Sequence, residues 1–169
     1  MPSRGLILIT KASVTAATSL SIDNCFSSTY SMYLVRRNVS ANALSQVNIR
    51  LRVGGVDAAG SDYRNQAIYA QGAGATAARS TLQTSFLNGL GTLQTTQIGY
   101  QHTWINNPNE AVPTTLWVDE SQAPTGNILL QSFVQAHDLA TSYTGMTLLV
   151  SGGVNTMTGT VAVFGLAKS

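Results

Sequence analysis

Residue types that could form a hydrolytic site occur in one short stretch of this sequence. His137 and Asp138 are adjacent, and a serine lies five residues to either side of the histidine, at Ser132 and Ser142. A triad requires these groups to converge, whereas neighbouring residues of a strand point to opposite faces. The sequence also lacks a G-x-S-x-G nucleophile elbow. These residues therefore do not predict a catalytic triad, and we expect His137 to end a strand and border a loop.

The other groups suited to acid–base or metal chemistry are scattered. Asp119 and Glu120 are neighbours in a predicted strand, so their side chains diverge, whereas a glycosidase needs two carboxyl groups facing one bond. Cys25 is the only cysteine, and no D-x-D-x-D-G calcium loop occurs. We therefore predict no catalytic residue, no metal site and no cofactor, and we expect that the protein is not an enzyme.

Four arginines form the clearest candidate contact surface. Arg50 and Arg52 lie on one face of a predicted strand, and Arg36 and Arg37 lie on the strand predicted to pair with it. Arginine is enriched at protein interfaces because its guanidinium forms paired hydrogen bonds. A row of charged side chains can also be an ordinary solvated surface. Both interpretations stay open, and these four residues are the interface candidates.

Two tryptophans offer a second possible contact. Trp104 shares one face of a predicted strand with Tyr100 and His102, and Trp117 lies in the next strand. Both strands adjoin a loop rich in Asn or Pro. Large aromatic side chains dominate the energetics of protein cores. We therefore expect core packing for both tryptophans, with a carbohydrate-stacking platform as the alternative, and we expect His102 to be packed or half-exposed.

These residues are positioned by a succession of short strands. The strand 47–53 is the clearest, because Val47, Ile49 and Leu51 alternate with polar residues. Further strands are predicted at 4–12, 18–22, 30–39, 63–70, 97–105, 114–119, 128–137, 146–150 and 160–166. We expect the strands 30–39 and 47–53 to form a long hairpin. Residues 77–87 could form a short helix that crosses between sheets.

Composition favours an all-β protein. The chain has 169 residues, of which 44% are apolar and only 9% are charged, with a net charge of +2. Thr and Ser supply polarity in place of Lys and Glu, and β-branched residues suit strands better than helices. The length fits a single domain, 1–169. We predict an antiparallel β-sandwich of about nine or ten strands with the winding of a jelly roll.

Charge and hydropathy exclude several classes of partner. No cluster of Lys and Arg is present to neutralise phosphates, so we expect no nucleic-acid binding. No apolar run approaches the roughly 18–20 residues of a membrane-spanning helix, so we expect no membrane insertion. The apolar stretch Leu6–Ile9 is too short for a signal peptide and is followed by Lys11. We therefore expect the chain to be made and folded in a cytoplasm.

Two parts of the sequence resemble virion proteins of tailed bacteriophages. The segment 151–168, SGGVNTMTGTVAVFGLAK, resembles their G-x-(I/V)-x-V-(Y/F)-G ending, and residues 19–30 and 49–55 resemble their opening half. The resemblance covers most of the chain, but its motifs are short and structural. Phe164, Leu166 and Ala167 stand where relatives often carry Tyr, Tyr and Arg. The resemblance implies a jelly-roll β-sandwich that forms a homotrimer, and it assigns no active site.

The same resemblance implies two possible roles. One is a capsid decoration (cement) protein, which binds the assembled shell of the major capsid protein and stabilises it. The other is the receptor-binding tip of a tail fibre or tailspike, which contacts tail proteins and a host-surface receptor. A fibre tip needs a stalk or adaptor, and only Met1–Ser3 precede the first predicted strand. We therefore expect a decoration protein on the capsid surface, made in the host cytoplasm. Candidate partner contacts are the loops 57–62, 72–91 and 106–112, because loops commonly carry binding residues.

Overall fold

The computed structural model describes residues 5–71, 74–87, 92–93, 99–122 and 129–167. Within these residues the chain forms no helix, and hence none long and apolar enough to cross a membrane. The same residues form thirteen β-strands, which confirms the predicted all-β class. In chain order they are β1 (Leu6–Ala17), β2 (Ser19–Ile22), β3 (Tyr30–Ala41), β4 (Ser45–Val53), β5 (Val56–Asp57), β6 (Tyr63–Gln71), β7 (Gly74–Gln83), β8 (Thr92–Leu93), β9 (Gly99–Asn106), β10 (Thr114–Gln122), β11 (Leu129–His137), β12 (Gly145–Val150) and β13 (Met157–Ala167).

The strands form two antiparallel sheets packed face to face. Sheet A has the order β1-β13-β3-β9-β10-β11-β6-β7, and sheet B has the order β2-β12-β4-β5. The two-residue strand β8 pairs with the start of β4. Strands from the two ends of the chain pair in succession, β1 with β13 in sheet A and β2 with β12 in sheet B. The predicted antiparallel β-sandwich is confirmed.

The two sheets enclose one hydrophobic core. The alternation on β4 places Val47, Ile49 and Leu51 in the interior with no exposed surface, as the period of two predicts. They belong to a single cluster with buried residues from both sheets, including Val35, Val39, Met146, Leu148, Val161 and Val163. Burial of one such side chain contributes roughly 1.5–3 kcal/mol. This layer is therefore what holds the sheets together.

The hairpin predicted between strands 30–39 and 47–53 is wrong. The strand β3 pairs with β13 and β9 in sheet A, whereas β4 pairs with β12 and β5 in sheet B. The connection between them carries the chain from one sheet to the other. It is fixed at Asn42, whose backbone N–H donates to the Thr156 carbonyl at 3.1 Å and whose side-chain oxygen accepts from the Thr156 N–H at 2.9 Å. Alternating hydrophobicity identifies a strand, but it carries no information about the pairing partner.

The helix considered for 77–87 is also wrong. Residues Gly74–Gln83 form β7, which pairs with β6 and is one edge of sheet A. Almost every residue of β7 is exposed, so neither face of the strand is buried and the sequence shows no alternation. After β7, Phe86 is fully buried and exchanges two backbone hydrogen bonds with Ile49. The segment 84–87 therefore extends sheet B beside β4 instead of forming a crossover helix.

Some predicted features lie outside the described residues. These are Met1–Ser3, residues 72–73 and 88–91 of the candidate loop 72–91, and the first residues of the strands predicted at 4–12, 97–105 and 128–137. Three observed strands, β5, β7 and β8, had no counterpart in the predicted set. Two of them are only two residues long, which is too short for a pattern of period two to be recognised.

Candidate functional site

The structure separates the residue types of a possible triad. His137 is the last residue of β11 and is buried, whereas Ser132 lies on the opposite, outer face of the same strand. Asp138 instead forms an ion pair with Arg64, with 2.5 Å between Oδ2 and Nε. Ser142 is exposed beyond the end of the strand. These described residues therefore do not form a nucleophile–base–carboxylate arrangement.

His137 belongs to a buried aromatic cluster. Its ring lies edge-on to the ring of Tyr63, with centroids 4.3 Å apart, and to that of Tyr143, with centroids 5.2 Å apart. Nδ1 is 3.3 Å from the Tyr143 hydroxyl, while Nε2 is buried without a hydrogen-bond partner among the described residues. Burial lowers the pKa of His137, and the charges of Asp62 and Asp138 oppose that shift only in part. His137 ends its strand, as expected, and is a neutral part of the core.

Stability should therefore fall as the pH drops through the ordinary pKa of histidine. The unfolded chain binds a proton at His137 near pH 6.5, but burial in the folded state disfavours the charged ring. The contribution of the neutral His137 ring to stability is complete above that pH. Below it, the free energy of unfolding falls by up to about 1.4 kcal/mol for each pH unit until the lower pKa of the folded state is reached. Urea unfolding at about pH 7.5 and about pH 5.5 measures the difference. His137→Gln should remove most of it, and His102→Gln, on an exposed residue of β9, should not; equal pH dependence in the His137→Gln protein would contradict the assignment.

The other titratable groups give no metal site. Within the described part of the chain, no group of three or more His, Cys, Asp and Glu side chains is placed to bind a metal ion. Cys25 is buried and donates its thiol hydrogen to the Ile22 carbonyl, with 3.4 Å between sulfur and oxygen. Burial raises the pKa of Cys25 to about 12. A thiol with that pKa stays protonated at neutral pH and is a poor nucleophile.

The four candidate interface arginines lie on two different sheets. Arg36 and Arg37 are on β3 in sheet A, and Arg50 and Arg52 are on β4 in sheet B. Along β3 the two side chains point in opposite directions, so Arg36 is exposed while Arg37 is buried inside the sandwich. The expected pairing of the two strands is therefore corrected. An interface role remains a separate prediction for each pair.

Arg52 is held by a hydrogen-bond network on the outer side of sheet B. Its Nε donates to Asp23 Oδ1 at 2.9 Å, and its Nη1 donates to Thr147 Oγ1 at 2.9 Å and to the Asp57 carboxylate. Its Nη2 donates to the Gly55 carbonyl, and the Thr147 hydroxyl donates to Asp57 at 2.6 Å. Only 12% of the Arg52 side chain is exposed. Because its donors are used within the chain, we infer that Arg52 has a structural role in sheet B.

A continuous row of apolar side chains crosses the outer face of sheet A, the face that points away from sheet B. The strand register places one such residue beside the next on six adjacent strands: Leu8, Phe164, Leu34, Trp104, Trp117 and Val134. All except Leu34 are exposed or half-exposed. Their chain neighbours, such as Val35 and Val118, point into the core. Contiguous apolar surfaces are common at protein interaction sites, so this row is a candidate contact surface.

Four exposed apolar side chains of this face lie close together on β10, β11 and β6. We call the set Ile68, Trp117, Leu130 and Val134 the outer patch. These side chains are between 48% and 60% exposed. Trp117 and Val134 are direct cross-strand neighbours, and Ile68 pairs with the residue between Leu130 and Val134 on β11. The outer patch is thus one surface, assembled from the consecutive strands β10 and β11 and from β6, which lies well before them in the sequence.

The tryptophans do not pack as expected. Trp117 is 48% exposed and Trp104, its cross-strand partner, is half-buried on the same outer face. The prediction of core packing is therefore wrong for Trp117. The indole N–H of Trp117 is shared between Asp119 Oδ1 at 3.2 Å and Ser132 Oγ at 3.3 Å. These two bonds fix the direction of an exposed aromatic ring, which lowers the entropy lost when a partner covers it.

Comparison of the chain with protein-family models, with curated proteins and with solved structures found no match. The fold therefore defines the class of the protein, an all-β sandwich. The candidate functional surface is the outer face of sheet A, with its apolar row and the outer patch.

Proposed function

We propose that the protein is a structural component of a bacteriophage virion, a homotrimeric decoration protein that binds the assembled capsid and stabilises it. The observation that carries this proposal is the outer patch, in which four large apolar side chains remain half-exposed on one sheet face. The resemblance of residues 151–168 to the ending of phage virion proteins supports the same role. A protein that acts by assembly needs a surface of this kind.

The dimensions of the outer face suit a subunit contact. The apolar row crosses six strands, which corresponds to about 24 Å at the ordinary strand spacing of about 4.8 Å. A specific protein contact of standard size buries about 800 Å² on each partner. An apolar row of about this width, with Trp104 and Trp117 near its middle, has the extent and the composition of such a contact.

The edges of sheet A support an assembled state as well. The strand β1 forms one edge and β7 forms the other, and both are long strands with exposed side chains. Unpaired strand edges promote uncontrolled association unless something covers them. In a closed cyclic trimer, neighbouring subunits cover such edges symmetrically. Binding only to the assembled shell then stabilises the capsid by mass action.

Replacing two residues of the outer patch should weaken the association of the trimer. The double variant Trp117→Ser/Val134→Ser replaces two adjacent apolar side chains, so we expect at least a tenfold rise in the dissociation constant of the oligomer. Sedimentation equilibrium measures it. The matched control is Val56→Ser/Val154→Ser, which changes two residues that are 68% and 80% exposed but lie off this face. A wild-type monomer at micromolar concentration, or equal effects of the two double variants, would overturn assembly through the outer patch.

The place of the protein in the particle is tested by its copy number in purified virions relative to the major capsid protein. Near-stoichiometric abundance supports the decoration role. A few copies per particle would instead support the alternative, a receptor-binding tip of a tail fibre or tailspike. Absence from virions would overturn both roles.

One observation favours that alternative, namely a recess on the outer face of sheet A, over β13 and away from the outer patch. A recess lined by charged and aromatic side chains suits the binding of a small ligand better than a flat subunit contact does. A fibre tip that recognises a host receptor needs a site of this kind.

A further inference from the structure

A trough lies on the outer face of sheet A, above β13 and between β1 and β3. Its floor is formed by two small residues of β13, Thr160 and Ala162. The register places Lys11 of β1 and Arg36 of β3 on either side of Ala162. Long side chains on the outer two strands and short ones on the middle strand produce a recess of about 270 Å³.

Within the described part of the chain, neither of the two cations forms an ion pair. Among the described residues the ion pairs involve other arginines, and Lys11 and Arg36 take part in none of them. Asp119 lies on the same cross-strand row, but it is two strands beyond Arg36, about 10 Å away at the ordinary strand spacing. Two cations on opposite sides of one small residue create a local positive potential, which attracts an anionic group into the trough.

The rest of the lining changes in character along β13. Phe164 and Leu8 are cross-strand neighbours and give one end of the trough an aromatic and aliphatic wall. At the other end Thr160 is opposite Asn38, which adds a hydroxyl and an amide. Between the two ends lie the cations. A complementary ligand therefore combines a carboxylate with hydrogen-bonding groups and an apolar face.

We propose that the trough binds a sugar acid, a monosaccharide unit that carries a carboxylate. The guanidinium of Arg36 and the ammonium of Lys11 hold the carboxylate, and the planar guanidinium can do so through two parallel hydrogen bonds. The ring hydroxyls bond to Asn38 and Thr160, and the apolar C–H face of the ring packs on Phe164. A recess of about 270 Å³ lies just below the usual range for small-molecule sites and so accommodates one sugar unit.

A second cleft on the outer face of sheet A differs from the trough in the ion pairing of its charged residues. It is lined by Arg64 and Arg79 and has a volume of about 170 Å³. Arg64 is already paired with Asp138 there. The cleft therefore contains an internal counter-ion, whereas no ion pair among the described residues involves Lys11 or Arg36.

The sugar site and the outer patch use different strands, although Leu8 and Phe164 of the trough also belong to the apolar row. The trough is built on β1, β13 and β3, whereas the outer patch is built on β10, β11 and β6. The inference therefore goes beyond the proposed function and does not rest on it. Loss of sugar binding in a protein that still forms trimers would separate the two.

The test is a titration of the full chain with glucuronic acid and with N-acetylneuraminic acid, in which NMR chemical shifts report binding. Glucose serves as the neutral sugar, and inorganic phosphate as the simple anion. We expect a dissociation constant on the order of millimolar for a sugar acid and no detectable binding of glucose. Lys11→Ala/Arg36→Ala should weaken binding at least tenfold. Arg79→Ala, on an exposed residue of β7, is the matched control and should change nothing.

A second variant tests the shape of the site while keeping its charges. Ala162→Leu places a larger side chain on the floor of the trough and should abolish binding, and Ala162 lies on the outer face, away from the core. Equal binding of glucose, no binding of either sugar acid, or phosphate binding as tight as that of the sugar acids would overturn the proposal. Tighter binding of a poly-glutamate peptide would also overturn it, in favour of an acidic protein partner.

Discussion

Gly159→Ala should destabilise the sandwich by about 3 kcal/mol or more, a large part of the total stability of a domain this size. Gly159 lies in β13 with a φ of +145°, a conformation that L-residues with side chains rarely adopt. A Cβ at this position would collide with the Asn38 carbonyl oxygen and would lie 2.8 Å from Val39 Cα. Both atoms belong to the backbone of β3, which is paired on its other side with β9. The strand therefore cannot move away without breaking two ladders.

Gly152→Ala is the matched control for this substitution. Gly152 also has a positive φ, +83°, but no atom lies within 4 Å of the position that its Cβ would take. Alanine there costs only the backbone conformation, about 1 kcal/mol. The difference between the two free energies of unfolding, from urea denaturation, gives the combined cost of the close approach of β3 and of the rarer φ at Gly159. Equal losses would show that the close approach of β3 to Gly159 does not limit this position.

Arg52→Ala should cost about 2–4 kcal/mol, the second-largest effect that we expect. The substitution leaves the Asp57 carboxylate, which is only 24% exposed, without its main cation, and it leaves the Gly55 carbonyl without this donor. Arg50 lies 4.0 Å from the other Asp57 oxygen and compensates in part. We therefore expect the lower half of that range in the wild-type background and the upper half when Arg50 is also replaced. Chemical denaturation of the single and double variants measures both values.

Arg64→Ala is the corresponding control, because it breaks an ion pair between more exposed side chains. Arg64 and Asp138 are 58% and 35% exposed, so the loss should stay below about 1 kcal/mol. Arg52→Lys keeps the charge but cannot reach all four acceptors, and it should fall between the wild type and Arg52→Ala. If Arg52→Ala were as mild as Arg64→Ala, the network would contribute little to stability. Arg52 would then be available for the interface role that its sequence pattern suggested.

The sequence predicts the strands best where one face of a strand is buried and the other faces solvent. Residues 47–53 show this, since Val47, Ile49 and Leu51 are fully buried and the arginines between them point outward. The same reasoning fails for β7, whose Ala, Thr and Ser residues are exposed on both faces. The alternation of apolar and polar residues also fails to predict the partner of β3, because a strand with such alternation can pair with any strand edge that has a matching apolar face.

The candidate site could not be predicted in the same way, because its residues become neighbours only when separate strands pair in the sheet. Leu8 and Phe164 are neighbours in the sheet although almost the whole chain separates them. Trp117 looked like a core residue because its size favours burial. Its exposure follows from sheet A having eight strands and an outer face that sheet B does not cover. Only the register, which no local pattern contains, brings these side chains into one row.

The position of β13 in sheet A also has a consequence for how the protein is made. This strand lies between β1 and β3, so Leu6 pairs with Leu166 and Met32 pairs with the same residue from the other side. While the ribosome is still translating, β1 and the outer flank of β3 have no partner, because the strand that joins them is synthesised after both. Sheet A can close only after the segment 157–167 has left the exit tunnel. This step of folding therefore waits for β13, and until then the nascent chain presents β1 and one edge of β3 unpaired to chaperones and to other nascent chains.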